Sequence, residues 1–248
     1  MGRYFAEQYG KLKFVKETKK KLGLRNAQIG AIHAISSFFT LRKNRAAIVV
    51  MPTGSGKTAV LMMTPYVLES LKVLIVTPST MVRGQTTEDF ETLKTLCQAT
   101  VFNDNVHKPK VYELKHTYSE EEFQNIINSD VVIATPHCAL SISENQEVKN
   151  RFDLVLIDEA HHVPAKTWEQ ILINMSTAKH ILFTATPFRL DKKEIKGDMI
   201  YTYPLSMQHF SLYHSQSIDI TGIFTGFKSV SNSGFYKVFL IHPFLLKS

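Results

Sequence analysis

Five short runs in this chain, Ala47–Met51, Val73–Thr77, Val131–Thr135, Leu154–Asp158 and Ile181–Thr186, are rich in Val and Ile and apolar at nearly every position instead of at alternate ones. A strand with one wet face alternates, so a run that is apolar throughout must be covered on both faces, as in a parallel sheet between helices. The covers are present in the intervening sequence. Ala27–Phe39, Lys57–Ser70, Thr86–Thr95, Glu120–Ile127 and Thr167–Met175 read as helices, with Pro65 expected to bend or shorten the second. The pattern predicts an α/β, doubly wound domain whose ligands bind at the carboxyl ends of the strands.

A chain of 248 residues with 44% hydrophobic content can bury at least one core, and 21% charged residues exclude a disordered chain. The apolar runs are far shorter than the roughly 20 residues that cross a bilayer, so no membrane partner is expected. The start, Met1-Gly2-Arg3-Tyr4-Phe5, lacks the apolar stretch of a secretory signal. Cys97 and Cys138 lie far apart and outside any C-x-x-C pattern, which argues against a disulfide framework or a zinc site. The expectation is a cytoplasmic protein with reduced thiols.

The net charge of +7 is uneven. Residues 1–45 carry eleven Lys and Arg against two Glu, or +9, while the rest of the chain carries eighteen against twenty, or −2. Lys11, Lys13, Lys16, Lys19, Lys20 and Lys21 form the densest part. Such a segment can neutralise nucleic-acid phosphates in a salt-dependent way, or be the solvated face of a surface helix.

Met51-Pro52-Thr53-Gly54-Ser55-Gly56-Lys57-Thr58 follows a buried strand and opens a helix, the setting a phosphate-binding P-loop requires. Thr53, Gly54, Ser55 and Gly56 form a turn whose backbone amides can wrap phosphates. Lys57 would reach the β- and γ-phosphates, and the Thr58 hydroxyl would ligate Mg²⁺. Met51 stands where the general spacing has its first glycine.

The Leu154–Ile157 run delivers two adjacent carboxylates, Asp158 and Glu159, to the same edge, followed by Ala160, His161 and His162. Asp158 would hold Mg²⁺, and Glu159 would orient and deprotonate an attacking water. The two histidines have no partner of metal-site spacing.

Together, Met51–Thr58 and Asp158-Glu159-Ala160-His161 resemble the superfamily 2 helicases and translocases of the DEAD/DEAH type, in the branch of restriction-enzyme motor subunits. Further motifs occur in the right order. Arg25-Asn26-Ala27-Gln28 resembles the glutamine motif, which implies that Gln28 reads the adenine edge. Val76-Thr77-Pro78-Ser79 with Arg83 and Gln85 resembles motif Ia, and Ala134-Thr135-Pro136-His137 a later strand-end motif. The resemblance implies that Thr77, Pro78, Arg83, Thr135 and Pro136 face a nucleic-acid backbone, through contacts that carry no sequence information. Phe183-Thr184-Ala185-Thr186-Pro187-Phe188-Arg189 is similar to motif III, which implies that His161, Thr184 and Thr186 couple the nucleotide site to the nucleic-acid track.

The resemblance covers roughly residues 22–205. It divides the chain into a basic helical segment (1–21), a single RecA-like ATP-binding domain (22–205) and a Phe-rich tail (206–248). Only about 60 residues follow Thr186, fewer than a second RecA-like lobe needs. The expectation is therefore a first lobe, its end set by truncation, a split gene or a shifted reading frame. The function implied is Mg·ATP binding, with hydrolysis coupled to movement on nucleic acid, DNA ahead of RNA, once a second lobe is supplied on a partner chain. Two alternatives stand beside it: a nucleic-acid-docking or regulatory P-loop module without motor activity, and a non-functional helicase fragment.

Overall fold

The computed structural model describes residues 3–41, 45–160, 165–186 and 197–204. In chain order the elements are α1 (Tyr4–Tyr9), α2 (Asn26–Thr40), β1 (Ala47–Val50), α3 (Lys57–Val67), β2 (Val73–Val76), α4 (Thr80–Thr92), α5 (Lys94–Gln98), β3 (Val111–Leu114), α6 (Phe123–Asn128), β4 (Val131–Ala134), α7 (Pro136–Glu144), α8 (Gln146–Lys149), β5 (Leu154–Ile157), α9 (Ala165–Asn174), β6 (Lys179–Thr184) and β7 (Asp198–Thr202). The strands form one seven-stranded sheet in the order β3-β4-β2-β5-β6-β1-β7, parallel at every described pairing.

The period of two along each strand splits the core cleanly. Val49, Ile75, Ile133, Leu156 and Phe183 point to the face covered by α1 to α5, which adds Phe5, Ile32, Met62, Phe90 and Leu96. Ile48, Leu74, Val132, Val155 and Leu182 point to the other face, where α6 to α9 add Ile126, Ala139, Val148 and Trp168. All five all-apolar runs are strands buried on both faces, as their composition requires.

Two strands went unread in the sequence, β3 and β7, and both are edges. Their residues are mostly half-exposed, so they lack a continuous apolar run. Helix α3 ends at Val67, with Pro65 near its end, and the chain leaves it through Glu69 at a φ of 49°. Helix α4 begins at Thr80, earlier than expected, because the Ser79 hydroxyl accepts from the Val82 N–H at 3.3 Å and caps it.

The basic segment departs from the expected helix. Helix α1 is short, and it is part of the core: Tyr4 and Phe5 are buried against Tyr66 of α3, with ring centroids 5.8 and 4.8 Å away. The lysine-rich stretch that follows is an extended excursion closed by the Thr18–Lys21 bridge, and its lysines are exposed. Through α1, the amino-terminal segment packs onto the same core as α3. No helix among the described residues is long and apolar enough to cross a membrane. The expected Phe-rich tail, 206–248, lies outside the described residues.

Candidate functional site

The register of the sheet brings the motifs together. Val50 pairs with Thr184, Ile157 with Val76 and Leu182, and Val76 with Ala134, so these strands end at one level. The ladder continues one residue further, with Met51 N–H to Thr184 O at 2.9 Å, Asp158 N–H to Val76 O at 2.8 Å and Thr77 N–H to Ala134 O at 3.0 Å. The P-loop, the acidic pair and the two threonine-proline turns therefore leave the sheet along a single edge.

The P-loop turn depends on glycine at two places, Gly54 (φ 81°) and Gly56 (φ 88°). At Gly56 there is a second reason. A Cβ there would lie 2.2 Å from the Gln28 side-chain nitrogen, because Gln28 Nε2 donates to Gly56 O at 3.2 Å. The buried Gln28 amide also accepts from the Arg25 N–H at 2.7 Å, and the Arg25 guanidinium donates to Gly54 O at 2.7 Å. The Arg25–Gln28 motif thus clamps the P-loop from outside. Ser55 is buried and its hydroxyl donates to Pro52 O at 2.6 Å, so its side chain shapes the loop.

Lys57 opens α3 and meets the acidic pair. Its ammonium donates to Glu159 Oε1 and lies 3.5 Å from Asp158 Oδ1. Glu159 has a φ of 48°, a left-handed conformation that is costly for a side chain of this size. The turn holding it there is pinned by the Glu159 N–H to Asp158 Oδ1 bond at 3.0 Å and the Ala160 N–H to Phe183 O bond at 3.0 Å. Burial raises the pKa of Asp158, and the Lys57 ammonium beside it pulls in the opposite direction.

These residues line a cleft of about 580 Å³ that also takes in Thr53, Gly54, Gly56 and Thr58, a size suited to a small-molecule ligand. Its chemistry fits a Mg²⁺-bound triphosphate: a fixed ammonium, a glycine turn at a helix N-terminus, and one hydroxyl and one carboxylate as cation ligands. Among the described residues no group of three or more His, Cys, Asp or Glu could hold a metal ion. A cation sharing its ligands with phosphate is consistent with so few protein donors. The sequence missed the far walls: Glu17, Leu22 and Gly23 from the lysine-rich excursion, and Gln85, Asp89, Thr95 and Gln98 from α4 and α5. They come from separate segments, so no contiguous signal marks them.

The residues expected at a nucleic-acid track divide. Thr135 and Pro136 begin α7, partly exposed, with the Thr135 hydroxyl 3.3 Å from Cys138 Sγ; Pro78 is also partly exposed. Thr77 is fully buried and its N–H serves the sheet, which removes its hydroxyl and amide from the surface where they were expected. Arg83 is likewise committed elsewhere: it is buried, its Nε donates to Glu113 Oε1 at 2.8 Å, and a terminal nitrogen donates to Leu114 O at 3.1 Å. This arginine holds α4 to β3. The Thr184 hydroxyl donates to Thr186 O at 2.7 Å, closing the motif on itself. His161 and Arg189 lie outside the described residues.

A parallel RecA-like sheet with a P-loop after β1 and an acidic pair after β5 defines the amino-terminal lobe of a superfamily 2 helicase. The chain belongs to the family of the Type III restriction enzyme, res subunit, whose sequence pattern matches residues 21–189. It is 26% identical over 197 residues to putative helicase 22 of Sulfolobus islandicus filamentous virus (isolate Iceland/Hveragerdi), a match covering 75% of this chain and 32% of the viral protein. The chain thus spans about a third of that relative's length. Its fold is similar to that of the Type ISP restriction-modification enzyme LlaGI, solved as a nuclease-deletion mutant with a DNA substrate mimic (TM-score 0.54, 18% identity, 76% of this chain and 20% of that one). It is also similar to a hypothetical ATP-dependent RNA helicase from Sulfolobus tokodaii (TM-score 0.51, 24% identity, 68% and 48%) and to the UvsW helicase from bacteriophage T4 (TM-score 0.50, 19% identity, 74% and 59%). At these identities the likeness shows the fold.

Proposed function

We propose that this chain binds Mg·ATP as the first lobe of a nucleic-acid helicase or translocase. The observation that carries the reading is the convergence of Lys57, Thr58, Asp158 and Glu159 on one cleft beneath a clamped glycine turn. The Lys57 ammonium neutralises the β- and γ-phosphates, and the P-loop amides at the start of α3 orient them. Thr58 and Asp158 would hold a magnesium ion, which would supply positive charge against the phosphates. Glu159, its carboxylate next to Asp158, orients the attacking water and takes its proton. Gln28, which lines the same cleft, would meet the adenine edge, as the glutamine motif implies.

Coupling to nucleic acid runs through the same sheet edge, where Pro78, Thr135 and Pro136 emerge, and through Thr184 and Thr186 in motif III. DNA is favoured over RNA by the family's association with restriction enzymes. Hydrolysis at useful rates needs the arginines of a second RecA-like lobe, which in other phosphoryl-transfer enzymes are worth roughly 10³–10⁵ in rate. Calorimetric titration with Mg·ATP, followed by steady-state ATPase assays of residues 1–248 with and without DNA, tests the proposal. Micromolar binding with slow turnover is expected; failure to bind Mg·ATP would overturn it.

A further inference from the structure

Motif Ia places Gln85 in a helix assigned to nucleic acid, yet Gln85 lines the nucleotide cleft together with Lys57, Thr58 and Asp158. Its position is fixed by the build of α4. Gln85 and Asp89 are one turn apart and share a stripe of the helix, and both lie on the cleft wall. The neighbouring stripe is anchored. Arg83 binds Glu113 and the Leu114 carbonyl, and the Thr87 hydroxyl donates to Arg83 O at 2.9 Å. Asp89 is tied to α5 by the Thr95 hydroxyl at 2.9 Å. Between these anchors Gln85 is exposed, and its side-chain amide has no hydrogen-bond partner among the described residues. A primary amide offers two donors and an acceptor, which suits phosphate oxygens as well as ribose hydroxyls.

We infer that Gln85 contacts the nucleotide held at the P-loop. The helix that starts at the nucleic-acid edge, behind Pro78, would then also take part in holding ATP. The inference rests on the ATP-binding reading of the cleft.

The test is calorimetric titration of the 248-residue chain and its Gln85→Ala, Gln85→Glu and Lys57→Ala variants with Mg·ATP and, separately, with inorganic tripolyphosphate. Gln85→Ala is expected to weaken Mg·ATP about tenfold, the worth of one hydrogen bond to a charged or ribose oxygen, with an unchanged melting temperature. Gln85→Glu, similar in size but anionic, is expected to bind at least as weakly as Gln85→Ala. Loss for both ligands assigns the amide to the phosphates; loss for ATP alone assigns it to the nucleoside; either supports the contact. Binding by Gln85→Ala within twofold of the parent, while Lys57→Ala abolishes it, overturns the inference and leaves the P-loop reading standing. A parent chain that binds neither ligand overturns both.

Discussion

The Lys57 ammonium lies 3.5 Å from Asp158 Oδ1 and donates a hydrogen bond to Glu159 Oε1, so one cation serves both carboxylates of the acidic pair. On the proposed reading, a triphosphate entering the cleft would compete for those same donors, and Asp158 would be freed to hold a metal ion as Lys57 turned to phosphate. Removing the lysine should therefore do more than delete a phosphate contact. Lys57→Ala is expected to weaken Mg·ATP by about 100-fold or more, as charge-assisted bonds are worth roughly 1.5–3 kcal/mol each. It should also raise the Asp158 pKa further, since the cation opposing the burial effect is gone. Calorimetry and carboxylate titration by NMR would check the two effects.

At Gly56 the backbone and a neighbour forbid the same substitution. Gly56→Ala must place a side chain at a φ of 88° and 2.2 Å from Gln28 Nε2. A loss of about 2–4 kcal/mol is expected from strain and overpacking together. In the double variant Gly56→Ala/Gln28→Ala the clash disappears while the strained φ remains, so only part of the loss should return. Chemical denaturation of the single and double variants measures both.

Arg83 and Thr135 should separate stability from nucleic-acid binding. Arg83→Ala leaves the Glu113 carboxylate of β3 and the Leu114 carbonyl without their partner, and losing such a partly buried, charge-assisted pair costs on the order of 1–3 kcal/mol. DNA affinity per folded molecule should be unchanged. Thr135→Ala is expected to leave stability within about 0.5 kcal/mol and to weaken DNA binding severalfold. Denaturation curves beside fluorescence-anisotropy titrations distinguish the two.

The lysines can be tested in place. Because Tyr4 and Phe5 are core residues, removing residues 1–21 would unfold the domain and answer nothing. Lys19→Glu, Lys20→Glu and Lys21→Glu together, all on exposed positions, should leave the melting temperature nearly unchanged. If these lysines meet phosphates, log–log salt dependence of DNA binding should lose roughly 0.9 in slope per contact. An unaltered slope would assign them to solvent.

His180 makes stability pH-dependent. Burial lowers its pKa to about 4, and its ring nitrogen sits 3.0 Å from Met175 O. The unfolded chain protonates this ring near pH 6.5. Above that pH both states hold it neutral and its contribution to stability is complete. As pH falls from 6.5 towards 4, the unfolded state gains the proton first and stability drops, by on the order of 2 kcal/mol. Thermal melts at pH 7 and pH 5 should show a smaller difference in His180→Gln than in the parent.

What could be read from the sequence followed from contiguity. The P-loop is eight consecutive residues and the acidic pair sits directly behind a buried strand, so both were visible without the fold. Strands β3 and β7 were hidden because an edge strand is only half covered and its composition shows it. The role of Arg83 was hidden because Glu113 is thirty residues away, and the likeness to motif Ia implies a nucleic-acid contact until that partner is seen. The α4–α5 wall of the cleft follows the same rule. Asp89 and Gln98 signal nothing until packing sets them opposite Lys57.

The position of β1 in the sheet has a consequence for synthesis. This strand, which carries the P-loop, pairs with none of the next strands to be made; its partners are β6 and β7, with Ala47 opposite Ile181 and Asp198. A growing chain can assemble β2, β4 and β5 among themselves while β1 still waits for a neighbour. The glycine turn is thus translated early and shaped late. On the proposed reading, nucleotide could act as a folding ligand only for a chain extended past β6, which joins β1 to β5, and pauses in translation before that point would leave β1 without a strand partner.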